Sequence, residues 1–373
     1  MGKLRRLAAL AIASAAISAT SVAVGTGTAS AIDGCPSYPD HCYGIGGFGY
    51  PNGGNNGAPV YLNSVWTQLR AFCLQVGDPN TDFVNYEMWL RTNANNPDLN
   101  TWVEAGLTDG TLWASPGQEE GLINFWADAR PDGSYNEHYI SPAALGAYNT
   151  AAFYWVPNTG NWDVSYNSTT VGTSTDNGAW GGGSDNGLES TTPNMAIDGD
   201  SYGWSYQDPS NVWHDVSNTL FWEDPGYTSG YVSGSSVHAQ SNSCTLPSAT
   251  TSATTASAPA PSTTEGNISA TVKRFAMVLG ESAPGPSQYV KTTRKQASSA
   301  ASGAVVDSDQ AVYLVQAPGK FTVPSARAPR GAKAPTGSNL TVTIDATTGQ
   351  VLDWGVRQNQ ANLSHFGAAS TIR

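Results

Sequence analysis

A glutamate in the stretch "TWVEAGL" (101–107) lies where a strand would present it for acid–base chemistry. Alternate side chains of a strand point to opposite faces, so Val103 and Leu107 share an apolar face, and Glu104 lies beside Trp102 on the other. Because a carboxyl group beside an aromatic ring is poorly solvated, its pKa is raised. The stretch therefore predicts a carboxyl group that holds its proton on one face of a sheet.

A second glutamate has the same surroundings in "DNGLEST" (185–191). Leu188 points to one face of a strand, and Glu189 points to the other between small neighbours. When two carboxyl groups converge on a concave face, their pKa values separate, so one stays protonated while the other ionises. Such a pair can activate water and protonate a leaving amine. The alternative is that each glutamate lies on the solvated face of its own strand.

The N-terminus has the pattern of an export signal. Lys3, Arg5 and Arg6 precede the apolar run "LAALAIASAA", and "ASA" (29–31) supplies a small-residue cleavage site. The apolar run is interrupted by Ser and Thr and is too short for a helix that spans a membrane. We therefore expect residues 1–31 to be a signal peptide and the mature protein to be secreted and extracellular.

Four cysteines follow the signal, which in an exported chain predicts two disulfide bonds with three possible pairings. We favour Cys35–Cys42 with Cys73–Cys244, because the second bond would join the ends of the first folded region. The sequence contains no CxxC pair and no HExxH motif. We therefore expect no metal site and no cofactor.

Charge is distributed unevenly along the chain. Residues 32–264 contain three cations (Arg70, Arg91 and Arg130) and 23 acidic residues, which gives a net charge near −20. Residues 265–373 contain 11 Lys and Arg and 6 acidic residues, which gives +5. An acidic body repels nucleic acid and anionic membranes, so we expect neither as a partner. The opposite charges predict that the basic tail docks on the acidic body of the same chain.

The chain divides at a Ser/Thr/Ala/Pro-rich stretch, residues 246–264, which is typical of a flexible linker. The body (32–245) contains short strand-like runs between turn signals, with one helix-like stretch at 62–76. This pattern predicts a mainly β fold, an antiparallel sandwich of the jelly-roll or concanavalin-like type. The tail (265–373) has strand-like runs and a helix-like stretch at 287–301, which predict a small α+β domain.

Two further patterns have ordinary interpretations. His138 adjoins Glu137 and is near Asp128, a set that suits a metal or acid–base site, but a surface histidine beside a strand is the commoner case. "GIGGFG" (44–49) fits the phosphate-binding pattern GxGxxG, yet the expected strand before it and helix after it are missing. We predict a flexible loop there.

The order of four stretches resembles that of the glutamic peptidases and the similar neprosin-type peptidases. These stretches are "WVEAGL", "FWADARPDGSYNEH", "TGNWDVSYNSTTVGTST" and "GLEST", and the resemblance covers roughly residues 84–192. It implies a jelly-roll sandwich and a secreted, acid-active endopeptidase that needs no metal or cofactor. It also implies that Glu189 is the catalytic glutamate and that Glu104 is its early-strand partner, which is Glu in the neprosin type.

Tryptophans of the body suggest how a substrate would be bound. Trp102, Trp126 and Trp155 are expected to line the substrate-binding face, although buried packing is the usual role of such residues. Exposed tryptophans on a concave face also stack on sugars. The alternative function is therefore a non-enzymatic, secreted carbohydrate- or cell-wall-binding sandwich, because a fold does not decide function.

The tail has a resemblance of its own. "VYLVQAPGKFTV" followed by "LTVTIDATTGQVLDWG" resembles PepSY-like domains, with Asp345, Thr348, Gly349 and Val351 at the matching positions. PepSY-like domains often accompany secreted peptidases as propeptides or inhibitors, so the resemblance implies a regulatory tail. A tail that an inactive body only presents to a partner is a third possibility.

Overall fold

The computed structural model describes residues 41–49, 61–76, 82–96, 99–110, 122–191, 195–217, 219–241, 265–324 and 326–372. The predicted signal peptide and the predicted linker lie outside the described residues. All described residues belong to one compact unit, Ala31–Arg373. The described helices are too short or too polar to cross a membrane.

Antiparallel strands make up most of the described chain. The region before the predicted linker contributes β1 (Cys42–Gly49), β2 (Ser64–Gln75), β3 (Phe83–Arg91), β4 (Trp102–Gly110), β5 (Ile123–Ala129), β6 (Tyr135–Pro142), β7 (Asn149–Trp155), β8 (Trp162–Tyr166), β9 (Thr169–Ser174), β10 (Gly183–Ser190), β11 (Ala196–Gln207), β12 (Trp213–Asp215), β13 (Leu220–Glu223), β14 (Tyr227–Ser233) and β15 (Ser236–Ser241). The region after it contributes α1 (Glu265–Val278), β16 (Ser287–Thr293), α2 (Arg294–Ser302), β17 (Ala311–Thr322), β18 (Thr336–Asp345), β19 (Val351–Arg357), a 3-10 turn (Leu363–Phe366) and β20 (Ser370–Ile372).

The strands form two sheets that pack face to face. The first sheet has the order β13-β1-β10-β3-β4-β5-β6-β19-β18-β17-β16-β20, and the second has the order β14-β15-β11-β2-β7-β8-β9, with β12 paired to β11. One core joins Leu90 and Val103 of the first sheet to Leu69 and Phe153 of the second. The predicted mainly β, antiparallel sandwich with an α+β tail is therefore confirmed.

Alternation along the strands gives the first sheet two different faces. Val103 and Leu107 of β4 and Leu188 of β10 are fully buried in the core between the sheets. Their sequence neighbours therefore project from the opposite face. We call this the carboxylate face, because it bears four fully buried glutamates: Glu87, Glu104, Glu137 and Glu189.

Two predicted elements of the body are wrong. Residues 62–76 contain β2 and no helix, because alternate side chains such as Val65 and Leu69 enter the core. "GIGGFG" lies within β1, between β10 and β13, and is not a loop. Its glycines allow close packing, since a Cβ at Gly46 would lie 2.7 Å from the side chain of Thr219.

The region after the predicted linker continues the first sheet. β19 pairs with β6, which places Trp354 opposite Glu137. The stretch 287–301, predicted as helical, divides into β16 and α2 because the side chain of Thr293 caps the helix at that point. The division of the chain into a separate body and tail stays a prediction, as does the PepSY-like resemblance.

Candidate active site

Glu189 is the most fully hydrogen-bonded of the predicted site residues. Its Oε1 accepts from Tyr43 Oη at 3.0 Å and pairs with His41 Nδ1, and its Oε2 accepts from Asn85 Nδ2 at 3.4 Å. The backbone N–H of Ala328 donates to both carboxyl oxygens at 3.3 Å. The surroundings thus fix the orientation of this carboxyl group.

His41 and Tyr43 were not predicted as site residues, since the stretch around them was interpreted as a loop. Burial lowers the pKa of His41, but the Glu189 carboxylate raises it, and the net direction is upward. Burial and then Glu189 raise the pKa of Tyr43 well above its ordinary value, so its hydroxyl stays a donor. Both side chains therefore hold protons that face Glu189.

Glu104 is held by an indole and a phenol. Its Oε2 accepts from Trp102 Nε1 at 3.0 Å, and its Oε1 accepts from Tyr135 Oη at 3.1 Å. Burial and the nearby Glu87 raise the pKa of Glu104 well above its ordinary value. Glu104 is therefore suited to remain a neutral carboxyl group at acid pH.

Glu87 is a third carboxyl group at this site that sequence reasoning missed. It lies on β3, between the strands of the two predicted glutamates, and its Oε1 accepts at 2.8 Å from the same Asn85 amide that reaches Glu189. Burial and then the charge of Glu189 raise its pKa well above the ordinary value. "FVNYEMWLR" has the same alternation as "TWVEAGL", so the signal was present in the sequence.

Strand register keeps Glu104 and Glu189 apart along the sheet. Glu189 lies opposite Asn85, and Asn85 lies opposite Thr108. Glu104 is four residues from Thr108 on the same strand, which is about 14 Å along it. The carboxyl groups of Glu104 and Glu189 can therefore contact the same bound group only if their side chains extend toward each other along the sheet.

The connection between β17 and β18, residues 323–335, runs across the carboxylate face, and we call it the covering segment. Position 325 within it lies outside the described residues. Its backbone is bound by side chains of the body at several points. These contacts are His41 Nε2 to Pro324 O (2.5 Å), Tyr43 Oη to Ala328 O (2.9 Å), Arg91 Nη2 to Arg330 O (2.7 Å), Asn100 Nδ2 to Lys333 O (2.8 Å) and Lys333 N to Asn100 Oδ1 (3.0 Å).

One peptide bond of the covering segment lies between the two predicted glutamates. Its nitrogen, the N–H of Ala328, donates to Glu189, and its carbonyl oxygen, Arg327 O, accepts from Trp102 Nε1 at 3.2 Å. The same indole N–H also donates to Glu104. A carboxyl group on the nitrogen side and a donor on the oxygen side are what hydrolysis of a peptide bond needs.

The structure brings only one of the three predicted tryptophans to this face. Trp102 contacts the covering segment, as described above. Trp126 points into the core and stacks on His138, with ring centroids 4.0 Å apart. Trp155 lies on β7 of the second sheet and packs on Trp180, with ring centroids 4.3 Å apart. Which face of β5 packs into the core and which sheet contains β7 account for these positions, and both depend on strand pairing.

The interpretation of His138 as a surface residue is wrong. Its side chain is 1% exposed, and its Nδ1 lies 2.8 Å from Asp353 Oδ1. Because adjacent residues of a strand alternate, His138 and Glu137 point to opposite faces and do not form one site. Burial raises the pKa of Asp353, but the Arg294 guanidinium and then His138 lower it to about 2.

The predicted disulfide pairing cannot be followed to both partners. Cys42 and Cys73 take part in disulfide bonds, and Cys35 and Cys244 lie outside the described residues. The pairing therefore stays a prediction. Within the described ranges, His, Cys, Asp and Glu side chains form no group of three or more that is arranged to hold a metal ion.

We expect the free energy of unfolding to fall as the pH rises above about 4.5, the ordinary pKa of a glutamate. Since the pKa values of Glu87 and Glu104 are raised in the folded chain, that chain keeps protons which the unfolded chain releases. Each such group costs about 1.4 kcal/mol per pH unit until its folded pKa is reached. Denaturant unfolding between about pH 4 and 7 measures this slope.

Matched variants show which carboxyl groups cause this change in the free energy of unfolding with pH. Glu87→Gln and Glu104→Gln should each flatten it, because an amide has no proton to release. Glu265→Gln, which alters an exposed carboxyl group at the start of α1, should leave it unchanged. A wild-type slope in both buried variants would contradict the raised pKa values.

The comparisons with known proteins give structural similarity without sequence similarity. No family model and no curated protein matches the sequence. The chain is similar to scytalidoglutamic peptidase with a peptide-based transition-state analogue, at 7% identity and a TM-score of 0.38, covering 56% of this chain and 99% of that chain. It is also similar to SCP-B, a member of the eqolisin family of peptidases in complex with the tripeptide Ala-Ile-His, at 8% identity and a TM-score of 0.34, with the same coverage.

A third similar structure comes from another class of enzyme. It is the β-glucanase of Bacillus licheniformis, at 11% identity and a TM-score of 0.24, covering 50% of this chain and 69% of that chain. Since every TM-score is below 0.5, none of these similarities indicates what this chain does. Its function has to be inferred from its own site.

Proposed function

We propose that this protein is a secreted, acid-active endopeptidase of the glutamic type, whose substrates are polypeptides. The observation that carries the proposal is the position of the Arg327–Ala328 peptide bond. Its nitrogen is hydrogen-bonded to Glu189, and its carbonyl oxygen is hydrogen-bonded to Trp102 beside Glu104. A substrate bound in the same way would present its peptide bond to a base and to an oxyanion donor.

Glu189 would act as the general base. It would take a proton from water as the water oxygen bonds to the carbonyl carbon, and would then give a proton to the departing nitrogen. The 3.3 Å separation between this carboxyl group and the Ala328 nitrogen supports the second step. Trp102 would donate to the carbonyl oxygen as negative charge develops on it.

The raised pKa values of Glu87 and Glu104 explain why activity is expected in acid. Burial first, and neighbouring carboxyl groups second, raise the pKa values of Glu87 and Glu104, so both stay neutral where ordinary glutamates begin to ionise. Ionisation of Glu104, which shares its indole donor with the carbonyl oxygen, would oppose the developing oxyanion. We therefore expect activity to decline as the pH rises through these pKa values.

The covering segment would restrain the enzyme. It occupies the carboxylate face, so a substrate can reach Glu189 only after the segment has left. The docking combines backbone hydrogen bonds with the buried ion pair between Arg327 and Glu137. A tail that regulates the body in this way fits the net charges of about +5 and −20 in the two regions.

A carbohydrate-binding function is the second candidate, and one surface observation favours it. Tyr61, which is 39% exposed, lies beside Trp180, and Trp180 packs on the partly exposed Trp155. Exposed aromatic rings of this kind bind the apolar faces of sugars. This cluster lies away from the four glutamates, so it would not need them.

Hydrolysis of denatured casein by the full chain, measured from about pH 2 to 8, tests the proposal. We expect activity that peaks in acid and that persists in the presence of a chelator. Binding of the same chain to insoluble polysaccharides is measured in parallel. Because the covering segment restrains the wild-type chain, the full chain that carries Arg327→Glu is assayed beside it. Absence of hydrolysis at every pH in both chains would contradict the peptidase, and retention on polysaccharide would then favour the second candidate.

A further inference from the structure

The side chain of Arg327 fills a pocket in the carboxylate face. It is 1% exposed, although arginine is among the residues least often buried. Its guanidinium carbon lies 4.9 Å from the ring centroid of Phe83 and 5.0 Å from that of Phe125. Both rings belong to the first sheet, so this part of the pocket does not depend on the covering segment.

Every nitrogen of the guanidinium has an acceptor. Nη1 donates to Glu137, Nη2 donates to Thr108 at 3.0 Å, and Nε donates to Asn85 at 3.2 Å. Glu137 is itself fixed by Tyr135 Oη at 2.7 Å and by Trp354 Nε1 at 3.2 Å. These acceptors project from three strands of one sheet and are therefore already in place before any peptide binds.

The pocket and the bound peptide bond are adjacent. Arg327 supplies both the side chain in the pocket and the carbonyl group that faces Trp102. A residue whose side chain enters this pocket consequently has its own carbonyl group at the site of attack.

We propose, on the basis of the peptidase function, that this pocket selects an arginine immediately before the bond to be cleaved. The covering segment then occupies the site as a substrate would, with Arg327–Ala328 at the position of that bond. Cleavage of a substrate consumes one water. Its oxygen bonds to the arginine carbonyl carbon, the C–N bond breaks, and the nitrogen takes a proton, which leaves a carboxylate and an amine.

The acceptor geometry favours arginine over lysine. A guanidinium is a planar fork whose nitrogens reach the carboxylate of Glu137, the hydroxyl of Thr108 and the amide oxygen of Asn85 together. A lysine ammonium is a compact point charge and would leave part of this acceptor set unpaired in a buried site. Such unpaired buried groups are costly, so we expect discrimination of at least about tenfold.

Matched peptides test the specificity in a full chain whose covering segment is displaced by Arg327→Glu. The probes are the peptide of residues 324–331 and versions in which the arginine before the Ala-Pro pair is replaced by Lys or Gln. We expect kcat/KM for the arginine peptide to exceed that for the lysine peptide at least about tenfold, and that for the glutamine peptide about a hundredfold. Mass spectrometry should place the cut between that Arg and Ala.

A second pair of variants distinguishes an effect on the pocket's specificity from an effect on catalysis. In the same background, Glu137→Gln should reduce the preference for arginine, measured as the ratio of kcat/KM for the arginine peptide to that for the glutamine peptide, about tenfold, whereas the exposed Glu265→Gln should leave this ratio and both rates unchanged. Where Arg327→Glu does not fold, Arg327→Ala empties the pocket instead. Cleavage of casein and of all three peptides at equal rates would overturn the specificity alone, whereas no cleavage of any of them would overturn the peptidase and the specificity together.

Discussion

Replacing Glu189 by Gln is expected to lower kcat for peptide hydrolysis by about two to four orders of magnitude, which is the usual rate enhancement from general acid–base catalysis. The amide keeps the size of the side chain but cannot take a proton from water. The measurement is best made on the chain that carries Arg327→Glu, in which the site is open. Circular dichroism verifies that each variant is folded.

Three further substitutions show whether the loss is specific. Glu265→Gln, on the surface, should retain full activity. Glu104→Gln and Glu87→Gln should each lose less than Glu189→Gln, because an amide can stand in for a neutral carboxyl group as a hydrogen-bonding partner. If Glu189→Gln kept its kcat, general-base catalysis by this residue would be disproved, whatever the activity of the other variants.

Arg327→Glu is expected to raise the initial rate of casein hydrolysis by the full chain about a hundredfold or more. The substitution puts a fifth carboxyl group among four buried glutamates and removes the only partner that the buried Glu137 has in the covering segment, as far as the described residues show. Breaking a buried ion pair costs about 3–5 kcal/mol. Since each 1.4 kcal/mol is about a factor of ten, the population of chains with an open site should rise steeply.

Arg330→Glu is the matched control for this prediction. Arg330 lies three positions further along the same segment, carries the same charge and is exposed. Reversing its charge should change the rate only slightly. An equal gain in both variants would mean that general repulsion between tail and body, and not the Arg327 pocket, holds the segment in place. No gain in Arg327→Glu would contradict restraint by the segment.

Local alternation in the sequence was enough to place Glu104 and Glu189 opposite apolar faces. In "TWVEAGL" and "GLEST" the period of two is set by backbone geometry, so it does not depend on which strands become neighbours. For the same reason the sequence predicted a mainly β, antiparallel sandwich. Where the periodicity was ambiguous, as in residues 62–76, burial of alternate side chains against the first sheet decided for a strand.

Pairing between distant strands was beyond local reasoning, and it assembled the site. Glu87 lies between the predicted glutamates only because β3 pairs with both β10 and β4. His41 reaches Glu189 across 148 positions of sequence. Trp126 and Trp155 were assigned to the site by residue type, whereas strand register and sheet membership place them elsewhere.

By itself the sequence determined the residue types, the faces of the strands, the opposite charges of the two regions and the carboxylates available for catalysis. The tertiary structure decided which carboxylates share one face and what covers them. The Ala328 N–H meets Glu189 across 139 positions, and the guanidinium of Arg327 meets Glu137 across 190. The physical reason is that alternation is a property of one strand, whereas these contacts require the register of many strands and the path of a distant loop to be fixed together.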